Sequence, residues 1–240
     1  MEIKPYTSAV MKSTADAGLR SYMIKVYNYM TGGLCLTALT VYLLINTGMI
    51  KMFFNITESG ASLSLFGWFM FILPLIMVFM FNSAVQRGTT AKVQTIFWLF
   101  SAVMGASISP IMLMYTGTSI FRVFLITAAT FGAMSLYGYT TKKDLTSIGS
   151  FMIMGLLGLI IASLVNFFLK SPTLYWVISY ASVAVFIGLT AYDTQKIRSY
   201  YRVANSEDSL NRLAMLGALN LYMDFINLFL NLLRIMGDRK

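Results

Sequence analysis

The sequence predicts an all-α polytopic membrane protein, with seven transmembrane helices in one bundle and the seventh as a central helix surrounded by six. Three observations lead there. The 240 residues are 58% hydrophobic and 11% charged, with a mean hydropathy of +0.71, a composition far from that of a soluble domain. Seven apolar runs follow one another, each close to the ~20 residues that a helix needs to cross a bilayer. The last of them is long and apolar, yet carries one polar face.

That run, residues 214–235, reads AMLGALNLYMDFINLFLNLLRI. Asn220, Asp224, Asn227, Asn231 and Arg234 recur at alternating steps of four and three, which places them on a single face of a helix with ~3.6 residues per turn. Lipid cannot solvate such a stripe, and a charge near the bilayer centre costs at least ~2.5–3.5 kcal/mol on insertion scales. The stripe must therefore face protein or water, so the other spans have to surround it. The asparagines alone are explicable as interhelical hydrogen-bonding residues, worth ~0.6 kcal/mol each. Asp224 is more than such contacts require.

In chain order, residues 1–28 hold Lys4, Lys12, Arg20 and Lys25 without an apolar core ending in small residues, so no cleaved signal peptide is expected. Leu19, Tyr22, Met23, Val26 and Tyr27 share one helical face that excludes Arg20 and Lys25. This predicts a short amphipathic helix on the cytoplasmic membrane surface. The transmembrane domain then occupies residues 29–240, with apolar runs near 30–50, 63–81, 93–115, 120–139, 148–168, 174–194 and 214–235. The links are short and carry breakers: Asn55 and Gly60, Gly88, Gly117, Lys142-Lys143-Asp144 and Pro172. Only the sixth, residues 195–213, is longer, and no soluble domain is inserted.

Small residues spaced for close helix approach recur as Ala102 and Ala106, Gly105 and Ser109, Ala128 and Gly132, and Gly158 and Ala162. Pro74 and Pro110 fall inside spans two and three, where each removes a backbone hydrogen bond and is expected to bend its helix.

The net charge of +9 reports topology and anionic lipid in a membrane protein rather than nucleic acid. Lys4, Lys12, Arg20, Lys25, Arg87, Lys92, Lys142, Lys143, Lys196, Arg198, Arg202 and Arg212 fall on one side of the membrane. Lys51, Arg122, Lys170, Arg234, Arg239 and Lys240 fall on the other. This two-to-one asymmetry predicts a cytoplasmic N-terminus and, after an odd number of spans, an external C-terminus. A bacterial inner membrane is the expected location.

There is no histidine, and Cys35 is the only cysteine. That excludes Ser/His and Cys/His catalysis, disulfides, and His- or Cys-based zinc and haem sites. No cofactor is expected. Any proton sensing near neutrality falls to carboxyl groups.

Asp193, in GLTAYDTQKI, is the only other acid inside an apolar run. By itself it reads equally well as a helix-end residue paired with Lys196 or Arg198. At ~1.5 Å per residue, Asp224 lies ~15 Å beyond residue 214, and Asp193 lies ~28 Å beyond residue 174. The two are expected to differ in depth by about two turns, unless span seven enters the membrane late or tilts.

AYDTQKI at 191–197 and LNLYMDFINLFLNLLRIMG at 219–237 closely resemble the two signature regions of the Bax inhibitor-1 (TMBIM) family of seven-span membrane proteins. The order of spans and short links is similar too. The short links and the lack of a long N-terminal extension look like the bacterial, YccA-like branch. The resemblance implies six helices around a central seventh. It also implies an aspartate pair, matched by Asp193 and Asp224, that binds a proton and controls a calcium leak. In members with a described gate, an arginine of span two latches onto the pair. Here that region reads MFNSAVQRG, with Asn82 where a basic residue is expected and Arg87 further along as candidate gate partner.

The leading expectation is thus a pH-sensitive calcium leak channel gated by an aspartate pair. Asp193 and Asp224 supply hard oxygen ligands for weak calcium binding, and Asn220, Asn227 and Asn231 line the path. Calcium enters as permeant ion, and its partners are protons and the lipid bilayer. The alternative is a membrane regulator that binds a membrane-anchored AAA protease, or acts in a stress response, without transporting ions. An enzyme or photoreceptor is not expected. Span seven has no lysine for retinal, and no glycine precedes Asp224 as in GxGD-type intramembrane proteases.

Overall fold

The computed structural model describes residues 4–57 and 60–240. Helix α1 (Lys4–Asn46) is followed by a short 3₁₀ turn (Met49–Phe53) and a hairpin of β1 (Phe54–Thr57) and β2 (Gly60–Leu63). Six helices follow: α2 (Leu65–Arg87), α3 (Thr90–Leu113), α4 (Gly117–Thr140), α5 (Thr146–Leu169), α6 (Pro172–Val203) and α7 (Glu207–Met236). The seven helices are each long and apolar enough to cross a membrane. Below, the "N-terminal side" of the bundle is the end where α1 begins and where the α2–α3, α4–α5 and α6–α7 links lie. The opposite end is the C-terminal side.

Helix starts follow local chemistry. The side chains of Ser64, Thr89, Thr116, Ser171 and Ser206 accept hydrogen bonds from the first-turn N–H groups of Gly67, Lys92, Ser119, Leu174 and Ser209, beginning α2, α3, α4, α6 and α7. Each satisfies one of the donors that a helix N-terminus leaves without an internal partner. Pro172 occupies the first turn of α6, where its missing N–H costs nothing. The expected breakers therefore mark real boundaries, and Pro74 and Pro110 lie within continuous helices.

Three expectations are corrected. First, the amphipathic segment at 19–27 is not a separate surface helix but part of α1, which runs unbroken into the first span. Leu19, Tyr22, Met23 and Val26 are buried in the protein core, and the Tyr22 ring packs 5.7 Å from that of Tyr201 at the end of α6. The apolar face is covered by protein instead of lipid. Second, the sixth link shrinks to residues 204–206, because α6 and α7 both continue well past their apolar runs. Third, a Cβ on Gly132 or Gly158 would meet nothing within 4 Å, so these small residues do not mediate close packing.

Close approaches occur elsewhere. A Cβ on Gly105 would lie 2.6 Å from the Thr37 carbonyl oxygen of α1, and one on Gly138 would collide with the Ala191 carbonyl oxygen of α6. Helix α7 packs against α1, α2, α3, α4 and α6, most extensively α6, while the main partner of α5 is α6. Beyond α7 the chain folds back as a strap over the α3–α4 turn. The Thr116 N–H donates to the Asp238 carbonyl (3.0 Å) and the Lys240 N–H to the Met114 carbonyl (3.0 Å). The Asp238 N–H donates to Ser119 Oγ (2.8 Å), and Arg122 pairs with the Asp238 carboxylate at 2.9 Å.

Candidate functional site

Asp224 sits in the middle of α7, only 5% exposed, and its Oδ2 has no hydrogen-bond partner. Asp193 of α6 is half-buried and lies on the helix that packs most extensively against α7. The helix register fixes their relative depth. Ile197 of α6 lies against Gly217 of α7, where a Cβ would be 2.9 Å from Ile197 Cγ2. The helices are antiparallel, so at ~1.5 Å per residue Asp193 and Asp224 lie ~6 and ~10.5 Å from that contact in the same direction. The offset is about one turn, less than the two turns expected from the apolar runs. Hydropathy marks where lipid begins and ends, whereas α6 runs on to Val203 and carries its contacts with α7 past that edge.

The helix-end explanation for Asp193 rests on pairing with Lys196 or Arg198. The Lys196 ammonium lies 5.6 Å over the Tyr192 ring, and an Arg198 N–H donates to the Tyr139 carbonyl at 3.0 Å. The salt bridges among the described residues are Arg122–Asp238 and Arg212–Asp208. Asp193 belongs to neither.

The polar stripe is graded in burial. Asn220 and Asn227 are half-buried, Asn231 is buried and Arg234 is exposed. Asn227 Nδ2 donates to the Met223 carbonyl and Asn231 Nδ2 to the Asn227 carbonyl, both at 2.8 Å. Their donors are thus satisfied one turn back in α7, while Asn231 Oδ1 is left buried without a partner. Asp224 Oδ2 and Asn231 Oδ1 are two orphaned acceptors, two turns apart on one face. A buried acceptor without a donor costs ~1–3 kcal/mol. Such oxygens attract protons, water or cations. Arg234 closes the stripe at the C-terminal side, its guanidinium 5.9 Å over the Tyr175 ring.

The structure does not bring Arg87 or Asn82 to the carboxyl pair. Both are exposed, because the inward face of α2 is formed by Met77, Phe81 and Ala84. The cation that ties α2 to α7 is Arg212. It donates to the Val85 (2.9 Å) and Gly88 (3.1 Å) carbonyls at the end of α2, and its Nε lies 3.2 Å from the Asp208 carboxylate.

Sequence reasoning also passed over two hydroxyl networks. Thr194 donates to the Thr190 carbonyl (2.8 Å), so Ser135 must donate to Thr194 Oγ1 (2.9 Å) and Tyr27 in turn to Ser135 Oγ. This chain links α1 and α4 to the residue beside Asp193. In the second network, the Tyr222 hydroxyl bonds Thr37 Oγ1 at 2.6 Å, and Thr37 Oγ1 lies 2.8 Å from the Ser101 carbonyl. The sequence signal was Thr190 and Thr194, one turn apart beside Asp193, and Tyr222, two residues before Asp224.

Helices of this length and apolarity, with ionisable groups turned inward, define an integral membrane protein with seven spans. A family model described as "Inhibitor of apoptosis-promoting Bax1" matches residues 19–240. A protein of Rickettsia prowazekii (strain Madrid E) is 45% identical over 238 residues, which cover 99% of this chain and 98% of that one. The inner membrane protein YbhL of Escherichia coli (strain K12) is 44% identical over 228 residues, covering 93% and 94%. A Caulobacter vibrioides protein is 37% identical over 230 residues, covering 95% and 92%. The chain belongs to the Bax inhibitor-1 family, and these relatives are bacterial.

Proposed function

We propose that the protein is a pH-sensitive calcium leak channel of the bacterial inner membrane, gated by Asp193 and Asp224. The observation that carries this reading is the buried Asp224 carboxyl with an oxygen that no protein donor satisfies; the other intramembrane carboxyl, Asp193, lies on the helix that packs most extensively against α7. Two such groups cannot both ionise cheaply, because desolvation and mutual repulsion favour holding one proton between them. Lowering the pH fills the pair with protons, removes the charge that attracts a cation and stabilises the packed α6–α7 contact. Raising it leaves repulsion that drives α6 from α7. Calcium competes with protons for the same oxygens and, with few charges to hold it, leaves again.

The test is calcium flux in proteoliposomes across pH. Asp193→Asn and Asp224→Asn are each expected to abolish the pH dependence. The double variant is expected to be no worse than the more severe single one, as for a coupled pair. Fully additive effects, or pH-dependent flux surviving in both single variants, would sink the mechanism. No flux from the unmodified protein at any pH would favour the regulatory alternative, in which the protein modulates a membrane-anchored protease. The orientation proposed with this function is a cytoplasmic N-terminus and an external C-terminus, resting on the basic-residue asymmetry. A reporter active only in the cytoplasm, fused after Lys240, is expected to stay silent; activity there would reverse the orientation.

A further inference from the structure

On the N-terminal side, beside the α4–α5 link, lies a polar recess of about 360 Å³ lined by Thr141, Lys142, Gln195, Arg198, Ser199 and Arg202. Its lining holds three cations and no carboxylate. Gln195, Arg198, Ser199 and Arg202 sit at i, i+3, i+4 and i+7 of α6, a single helix face, just beyond the apolar run that ends near residue 194. Thr141 and Lys142 come directly after the span that ends at Thr140. The recess therefore sits at the level where lipid headgroups meet water.

Its walls are fixed in place. Gln195 pins the link to α6: its Nε2 donates to the Lys143 carbonyl (2.8 Å) and its Oε1 accepts from the Leu145 N–H (2.9 Å). The Arg198 guanidinium is held 5.6 Å over the Tyr139 ring and uses one N–H on the Tyr139 carbonyl, leaving four of its five donors. Thr141 Oγ1 accepts from the Lys143 N–H, which leaves its own proton free to donate. The Ser199 hydroxyl is already committed to the Lys196 carbonyl.

The charge is not balanced locally. Asp144, the acid nearest Lys142 in sequence, accepts from both the N–H (2.9 Å) and the hydroxyl (2.6 Å) of Thr146, which hold its carboxyl below the usual range. It serves the start of α5. Capping the end of α4 accounts for Arg198, but Lys142 and Arg202 are exposed and, among the described residues, neither joins a salt bridge.

We propose that this recess binds a phosphate group at the membrane surface, with Lys142, Arg198 and Arg202 as cationic ligands and the Thr141 hydroxyl as a further donor. Arginine presents paired N–H groups that match phosphate oxygens two at a time, and a phosphate relieves the mutual repulsion of the three cations. The phosphate comes either from the headgroup of an anionic phospholipid or from free inorganic phosphate. This assignment stands apart from the carboxyl pair and does not depend on calcium passage.

The test uses the full-length protein in detergent and native mass spectrometry with phosphatidylglycerol, with phosphatidylcholine of the same chain length as reference. Retention of phosphatidylglycerol over phosphatidylcholine is expected. Lys142→Gln with Arg202→Gln is expected to weaken it at least about tenfold, as for the loss of a charge-assisted hydrogen bond. Lys51→Gln with Lys92→Gln removes equal charge from exposed positions elsewhere and is expected to change it less than about twofold. Arg198 is left intact because it also caps α4. Inorganic phosphate supplies the second arm: if it displaces the lipid, the source is free phosphate as well, and if it does not, the source is the headgroup. Unchanged retention in the Lys142/Arg202 double variant, or an equal loss in the control, overturns the site.

Discussion

Helices α5 and α7 are opposites. Fifteen residues of α7 are buried, Asp224 and Asn231 among them, whereas Gly149 is the one buried residue of α5. Yet α5 reads TSIGSFMIMGLLGLIIASLVNFFL, with no charged residue, and α7 is the helix that carries the polar stripe. The more apolar helix lies outermost. In water the hydrophobic effect drives apolar side chains inward, but lipid solvates Leu and Ile as well as protein does, and it is polar groups that it rejects. In α7 interior position is set by Asp224 and the asparagines, while Ile160, Ile161, Leu164 and Phe167 of α5 stay exposed to the bilayer.

The contrast can be broken where helices touch most closely. Gly138→Ala, whose Cβ would collide with a backbone oxygen of α6, is expected to destabilise by ~1–3 kcal/mol as overpacking does. Gly158→Ala, on α5 with open space around it, is expected to be neutral or slightly stabilising, since alanine is the better helix former. Thermal melting in one detergent compares the two. Equal melting temperatures would mean that α4 and α6 separate more easily than their contact implies.

A smaller effect sharpens the same comparison. Tyr222→Phe removes the hydroxyl that reaches Thr37 and keeps the ring, which packs edge-on to Phe100 at 5.7 Å. The expected loss is ~0.6 kcal/mol, and at most ~1.7, the range for hydrogen bonds between membrane helices. Steric trapping or melting curves measure it, and a neutral result would leave α7 held against α1 and α3 by packing alone.

The smallest expected effect lies outside the spans. Hydrogen bonds from Thr146 hold the Asp144 carboxyl below its ordinary value, so its contribution to stability is present above the unfolded-state pKa of roughly 4 and is lost as the pH falls through the native value. Asp144→Ala is therefore expected to lower the melting temperature slightly at neutral pH and not at all in strong acid. The group is fully exposed, so the difference is small; one that grew on acidification would contradict the assignment.

Much of this was legible in the residues. The seven spans, the breakers in the links between them, and the stripe on α7 all depend on local spacing or on the insolubility of polar groups in lipid, and both can be read without coordinates. What failed depended on which surface covers a given face. Leu19, Tyr22, Met23 and Val26 make the same apolar pattern whether lipid or the end of α6 lies opposite. Gly132 and Gly138 are both small residues on α4, and only the fold decides that Gly138 meets α6. Asp193 and Asp224 were legible as two acids but their relative depth was not, because the apolar runs give no register between α6 and α7. Arg87 and Asn82 were legible as the polar residues ending α2, but their direction was not.

The strap formed by residues 237–240 has a mechanical consequence. It ties the end of α7 to the α3–α4 turn through backbone hydrogen bonds and the Arg122–Asp238 ion pair, so α7 is not free to slide along its axis like a piston. A movement of α7 that keeps these contacts is a swing about a fulcrum at Met236. At ~1.5 Å per residue, Asp224 lies ~18 Å along that lever and Glu207 ~43 Å. A tilt that shifts the carboxyl by a given distance therefore displaces the far end of α7 more than twice as much, and carries with it Arg212 and its grip on the end of α2.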